Sequence, residues 1–110
     1  MQKQTVAGVL LAFMLLFGPD IVGAGEGEGN KERGEAIKGT CAGCHGSDGN
    51  SSVPAMYPSI AGMDEAEFIE AMKAFRSGER EDGQMSPQAR NLSDQDIRDL
   101  AAFFSAQERK

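Results

Sequence analysis

Cys41-Ala42-Gly43-Cys44-His45 is the stretch from which the rest of the chain is read. It holds both cysteines and the only histidine of the 110 residues. Two thiols in a C-x-x-C-H pattern point to covalent attachment of one haem, with the following imidazole as the proximal iron ligand. Each thiol can add to one of the two vinyl groups, forming a sulfur–carbon bond while its hydrogen goes to the other vinyl carbon. The small Ala42 and Gly43 let the backbone lie close to the macrocycle. Three other readings fit less well. A structural zinc site takes four ligands, and only three candidates exist. A thioredoxin-like redox pair belongs beside strands, and no segment alternates with period two. A disulfide between residues 41 and 44 would close a very short loop, of small entropic value.

The iron's other axial position has no second histidine to fill it, which turns attention to methionine. Met72 falls on an apolar helical stripe, where packing explains it, and Met56 follows the histidine closely on the same loop. Met85 stands in Gly83-Gln84-Met85-Ser86-Pro87, a polar stretch in which an isolated methionine has no evident core role. Met85 is the expected distal ligand, with Met63 as second choice. A thioether favours Fe(II) and raises the potential. A proximal imidazole normally donates its other N–H to a fixed acceptor, and the loop carrying Pro54 and Pro58 is the expected source of that carbonyl.

Around this centre the pattern is helical. Asn30 is a plausible cap for a helix over 31–38 that Gly39 ends. Residues 46–62, rich in Gly, Ser and Pro, predict an irregular loop. Asp64 with Glu67 resembles a capping box for a helix over 65–77, on which Phe68, Met72 and Phe75 form one stripe and after which Gly78 is the expected stop. Residues 79–91 return to loop composition. Ser93 opens a last helix, with Asp94 and Asp96 in its first turn and Ile97, Leu100, Ala101 and Phe104 on one face. The fold class is therefore all-α. Aromatics make up only 6% of the chain, so the macrocycle is expected to supply the centre of the core, with Phe68, Phe75 and Phe104 closing around or beside it.

The amino terminus reads as an address. Met1-Gln2-Lys3-Gln4 carries one positive charge, residues 5–17 are almost wholly apolar, and Val22-Gly23-Ala24 offers small residues for cleavage. Residues 1–24 are expected to be a secretory signal peptide, the apolar run being too short for a membrane span. Residues 25–30 then form a flexible, Gly- and Glu-rich lead-in, and 31–110 a single domain carrying one haem. The mature chain would be periplasmic and without a permanent membrane anchor. The length excludes a large multi-domain enzyme. The net charge of −6 excludes a generally basic nucleic-acid binder and suits a redox partner with a basic docking face. Lys3 and Asp20 cancel, so cleavage leaves that charge unchanged.

The ordered set Cys41-Ala42-Gly43-Cys44-His45-Gly46, Asp48-Gly49-Asn50, Pro58-Ser59-Ile60-Ala61-Gly62, Phe75-Arg76-Ser77-Gly78-Glu79-Arg80, Met85, Leu92-Ser93-Asp94-Gln95-Asp96-Ile97 and Leu100-Ala101-Ala102-Phe103-Phe104 resembles the class I c-type cytochromes. Within them it is similar to the small bacterial cytochrome c553 and c4-like group, over residues 34 to about 106. The resemblance implies three to five short helices wrapped around one haem c, whose terminal helices cross. It also implies thioether links at Cys41 and Cys44, iron ligation by His45 and Met85, and a carbonyl from Pro58 to the proximal imidazole. Cytochromes c4 carry two haem domains, whereas this chain has one motif. Residues 58–80 also look like the haem subunit of flavocytochrome c sulfide dehydrogenases. Two functions follow from the resemblance: a periplasmic one-electron carrier with no catalysis of its own, and a haem subunit bound to a flavoprotein dehydrogenase. A haem sensor or peroxidase would require Met85 to leave the iron open.

Overall fold

A computed structural model describes residues 28–110. The signal peptide expected over 1–24 lies outside the described residues. Among these, five helices and no strand occur: α1 (Lys31–Ile37), α2 (Gly39–His45), α3 (Glu65–Ser77), α4 (Met85–Arg90) and α5 (Asp94–Ser105).

Two boundaries differ from the sequence expectation. Gly39 does not stop the first helix. It is absent from the glycines with positive φ, so it lacks the left-handed geometry of a helix stop. The chain pauses at Lys38 and starts α2, which ends at Gly46 with φ 93° and its N–H on the Ala42 carbonyl. The C-x-x-C-H motif thus lies on a helix. The second difference is α4, inside the stretch expected to be loop. Pro87 is its third residue, where the missing N–H would have no intrahelical partner in any case.

The other caps behave as their residues dictate. Asn30 Oδ1 accepts from Arg33 N–H at 2.9 Å, and Asp64 Oδ1 from Glu67 N–H at 3.1 Å. The reciprocal box forms at α5, where Ser93 Oγ and the Asp96 carboxylate each accept the other's backbone N–H at 3.0 Å. Gly78 takes the left-handed stop after α3.

Helix α5 is the spine of the core. Its Ile97, Leu100, Ala101 and Phe104 are fully buried. The Phe104 ring stacks on Phe68 of α3 at 6.0 Å and meets Phe103 edge-on at 5.0 Å. Each such ring contributes about 1.5–3 kcal/mol by burial. The loop over 46–62 is irregular, as its composition predicts, and is laced down by backbone bonds: Ile60 and Ala61 donate to Gly49 O, and Gly62 to Phe104 O.

Helix α1 crosses α5 with almost no gap. A Cβ on Gly34 would stand 2.1 Å from the Asp99 carbonyl oxygen. Beside this crossing sits a carboxylate that is only 1% exposed, Asp99. It accepts from Asn30 N–H at 2.7 Å, Arg33 Nη1 at 2.7 Å and Gln95 Nε2 at 2.8 Å. Gln95 also donates to Glu28 O. The described end of the expected flexible lead-in, residues 28–30, is therefore tied to α5.

Burial alone would raise the Asp99 carboxyl, but the hydrogen bonds from Asn30, Arg33 and Gln95 outweigh it and hold the group below the usual carboxylate range. Asp96 is likewise held low, by the Ser93 N–H and by Arg33. A depressed folded value means stability that is complete above the unfolded carboxylate value of about 4 and lost as pH falls through the folded one. Tm should therefore be flat from about pH 7 to pH 5 and fall steeply below about pH 4. Asp99→Asn should be less stable at neutral pH and lose less on acidification. An acid slope that is the same in the variant would refute the assignment to Asp99.

Candidate haem site

The short α2 places Cys41 half-buried, Cys44 exposed and His45 buried. Both thiols are free. Burial pushes the Cys41 thiol up from its ordinary value, and a hydrogen bond with Thr40 opposes that shift in part.

All three side chains border one cleft of about 330 Å³. The same cleft is lined by the chain around α4, including Met85, Pro87 and Gln88, and by Met72 of α3 and Leu92. The mouth carries Met56 and Tyr57 from the loop. Met56 is 68% exposed there.

His45 is oriented by one contact. Its Nδ1 lies 2.7 Å from the Pro58 carbonyl oxygen. A carbonyl can only accept, so Nδ1 carries the hydrogen, and in the neutral ring Nε2 is the nitrogen with the free lone pair. Pro54, the other proline of that loop, makes no such bond. A proline at 58 adds a fixed φ to the segment that presents the carbonyl.

The residues fit a covalently held haem. Thiols one helical turn apart, an imidazole fixed through Nδ1 and a mainly apolar cleft that a thioether also lines are what that group needs. Among the described residues no three His, Cys, Asp or Glu side chains gather into a group that could hold a metal ion. The two thiols and the imidazole therefore border the cleft without converging on a point, unlike a zinc site.

The structure brings together Cys41, Cys44, His45, Pro58 and Met85. It sets Met63 apart, packed against the core and opening onto a different cleft with Glu67 and Glu70. Phe68, Phe75 and Phe104 do not border the haem cleft. Phe75 lies under the Arg80 guanidinium at 4.5 Å. Sequence reasoning missed Tyr57, Gln88 and Leu92, whose positions depend on how the loop and α4 fold back and carry no local signature. Among the described residues, no helix is long and apolar enough to cross a membrane.

Comparison with known proteins agrees with this geometry. The sequence model for cytochrome c matches residues 31–107. The chain is 42% identical over 83 residues to cytochrome c-554(548) of Halomonas halodenitrificans, covering 73% of this chain and 99% of that protein. It is 40% identical over 75 residues to the cytochrome subunit of sulfide dehydrogenase of Chlorobaculum tepidum, covering 67% of this chain and 66% of that one. Reduced recombinant cytochrome c4 from Pseudomonas stutzeri superposes with a TM-score of 0.70 at 33% identity, over 74% of this chain and 47% of that structure. The chain thus spans about half the length of the cytochrome c4 proteins it matches.

Proposed function

The chain belongs to the cytochrome c family of electron-transfer proteins, and on that premise we propose that it is a periplasmic one-electron carrier with a single haem c, covalently held by Cys41 and Cys44, whose iron is ligated by His45 and Met85. When bound, the haem supplies the Fe(III)/Fe(II) couple. The chain's own residues do the rest. Pro58 O holds the Nδ1–H of His45, which orients the ring and raises the basicity of Nε2. Met85, which lines the same cleft, would offer a soft thioether, favouring Fe(II). With His45 and Met85 both supplied by the chain as ligands, nothing would have to bind or leave when an electron passes. Export follows from the signal-peptide pattern of residues 1–24.

The observation that carries this reading is the 2.7 Å bond from His45 to Pro58 O in a cleft that both thiols and Met85 also border. The experiment is the reduced-minus-oxidised spectrum of the holoprotein and of Met85→Ala. Wild type should show a low-spin haem c and, when oxidised, the sulfur–iron charge-transfer absorption. Met85→Ala should lose that absorption. A ligand that prefers Fe(II) by about a hundredfold is worth about 120 mV in a one-electron couple, so the potential should fall by about that amount. Survival of the band in Met85→Ala would overturn the ligand assignment and direct attention to Met56 and Met72, which border the same cleft.

A second reading is that the protein is the haem subunit of a flavocytochrome c sulfide dehydrogenase-like complex. The identity with the cytochrome subunit of the Chlorobaculum enzyme favours it. Co-purification with a flavoprotein would establish it. In either role the net charge of −6 suits a partner with a basic docking face, and association should slow as salt rises.

A further inference from the structure

Met85 is the first residue of α4, so its backbone N–H has no partner one turn back. The Asp82 carboxylate takes its place. Asp82 Oδ1 accepts from Met85 N–H at 2.9 Å and from Gln84 N–H at 2.8 Å. The chain then closes in the other direction. Ser86, only 5% exposed, accepts from Asp82 N–H on Oγ at 3.1 Å and donates its own N–H to Asp82 O at 3.0 Å. Two of these four bonds close a ring between Asp82 and Ser86 across Met85, and the other two hold the Gln84 and Met85 N–H groups on the Asp82 carboxylate. Packing does little to hold the approach to it. Residues 81–84 are all exposed, and nothing lies within 4 Å of a Cβ built on Gly83.

Resting on the reading that Met85 ligates the iron, we propose that Asp82 is a positioning residue for that ligand. Its carboxylate fixes the Met85 backbone against the cleft and so sets how firmly the thioether holds the ferric iron against competing ligands. The ferric state is where this matters, because a soft thioether binds the harder Fe(III) less well than Fe(II). Asp82 itself borders the cleft and acts through Met85.

The test uses ferric holoprotein of wild type, Asp82→Ala, Asp82→Asn, Ser86→Ala and Met85→Ala. Two quantities are read: the sulfur–iron charge-transfer band and the affinity for added imidazole, which competes with the thioether. Asp82→Ala removes both side-chain hydrogen bonds at the start of α4. Its imidazole affinity should rise about tenfold and its band should be lost at lower temperature, with helix content and the denaturant midpoint near wild type. Asp82→Asn keeps an oxygen acceptor and should restore most of the wild-type behaviour. Ser86→Ala, which removes one bond of the ring, should shift imidazole affinity the same way by about threefold. If Met85→Ala abolishes the band while Asp82→Ala and Ser86→Ala match wild type, the ligand reading stands and the positioning role is overturned. An Asp82→Asn rise as large as that of Asp82→Ala also overturns it. If the band survives in Met85→Ala, the ligand reading is wrong and the positioning role falls with it.

Discussion

His45→Ala should yield almost no stable, low-spin holoprotein. The chain has no second histidine, so no other imidazole can reach the iron. The substitution also removes the side chain that joins α2 to the loop at Pro58, so cofactor and fold lose the same anchor. Loss of even an outer-shell partner costs a metal site about 10–100-fold, and loss of the proximal ligand itself should lower holoprotein yield by at least about tenfold. Haem stain on a denaturing gel separates the two roles of the motif. Any chain that keeps colour through Cys41 and Cys44 should lack the low-spin reduced spectrum. Pro58→Ala is the matching control. It retains a backbone carbonyl, so it should keep the low-spin spectrum and lose only some stability. A normal yield of low-spin haem protein from His45→Ala would overturn the proximal assignment.

Gly34→Val should be the most damaging change away from the haem. The added Cβ would lie 2.1 Å from Asp99 O and 2.9 Å from the Phe103 Cβ. Both belong to α5, and one is backbone, so no rotamer change relieves the contact. The helices would have to separate, and with them the Asp99 contacts to Asn30 and Arg33. Overpacking of this kind typically costs 1–3 kcal/mol, and a backbone clash sits at or above the top of that range. Against a total of about 5–15 kcal/mol, a loss of about 3 kcal/mol is severe. Chemical denaturation of the holoprotein measures it. Gly39→Ala is the comparison, since a Cβ there meets nothing within 4 Å and alanine favours a helix. It should be neutral or slightly stabilising. Equal stability of Gly34→Val and wild type would refute the close crossing.

Much of this arrangement was legible from residue types. The five-residue motif, the spacing of Ile97, Leu100, Ala101 and Phe104, and Gly78 after α3 each carry a local physical signal, and the structure has the corresponding helices. Two errors came from signals that are ambiguous locally. Glycine after a helical run signals a stop because it favours the left-handed turn, yet Gly39 equally tolerates a helix start. Ser86 and Pro87 read as loop because the acceptors for the first N–H groups of α4 come from Asp82, outside the helix. The site divides in the same way. Cys41, Cys44 and His45 are contiguous and could be found by pattern. Tyr57 and Leu92 reach the cleft only through tertiary folding, which no window of sequence contains. The helical stripe of Phe68 and Phe75 is visible in the sequence, but not that Phe68 packs on Phe104 and Phe75 lies under Arg80, neither bordering the cleft.

The pairing of α1 with α5 has a kinetic side. Asn30 and Asp99 stand at nearly opposite ends of the described chain, yet their hydrogen bond helps close the molecule. Contacts of such long sequence separation carry a loop-closure cost that must be met before they return any stability. A chain made from its amino terminus has Cys41, Cys44 and His45 in place before α5 exists to complete the fold. The crossing of α1 with α5 can therefore form only late, and α5 is the element whose arrival completes the fold.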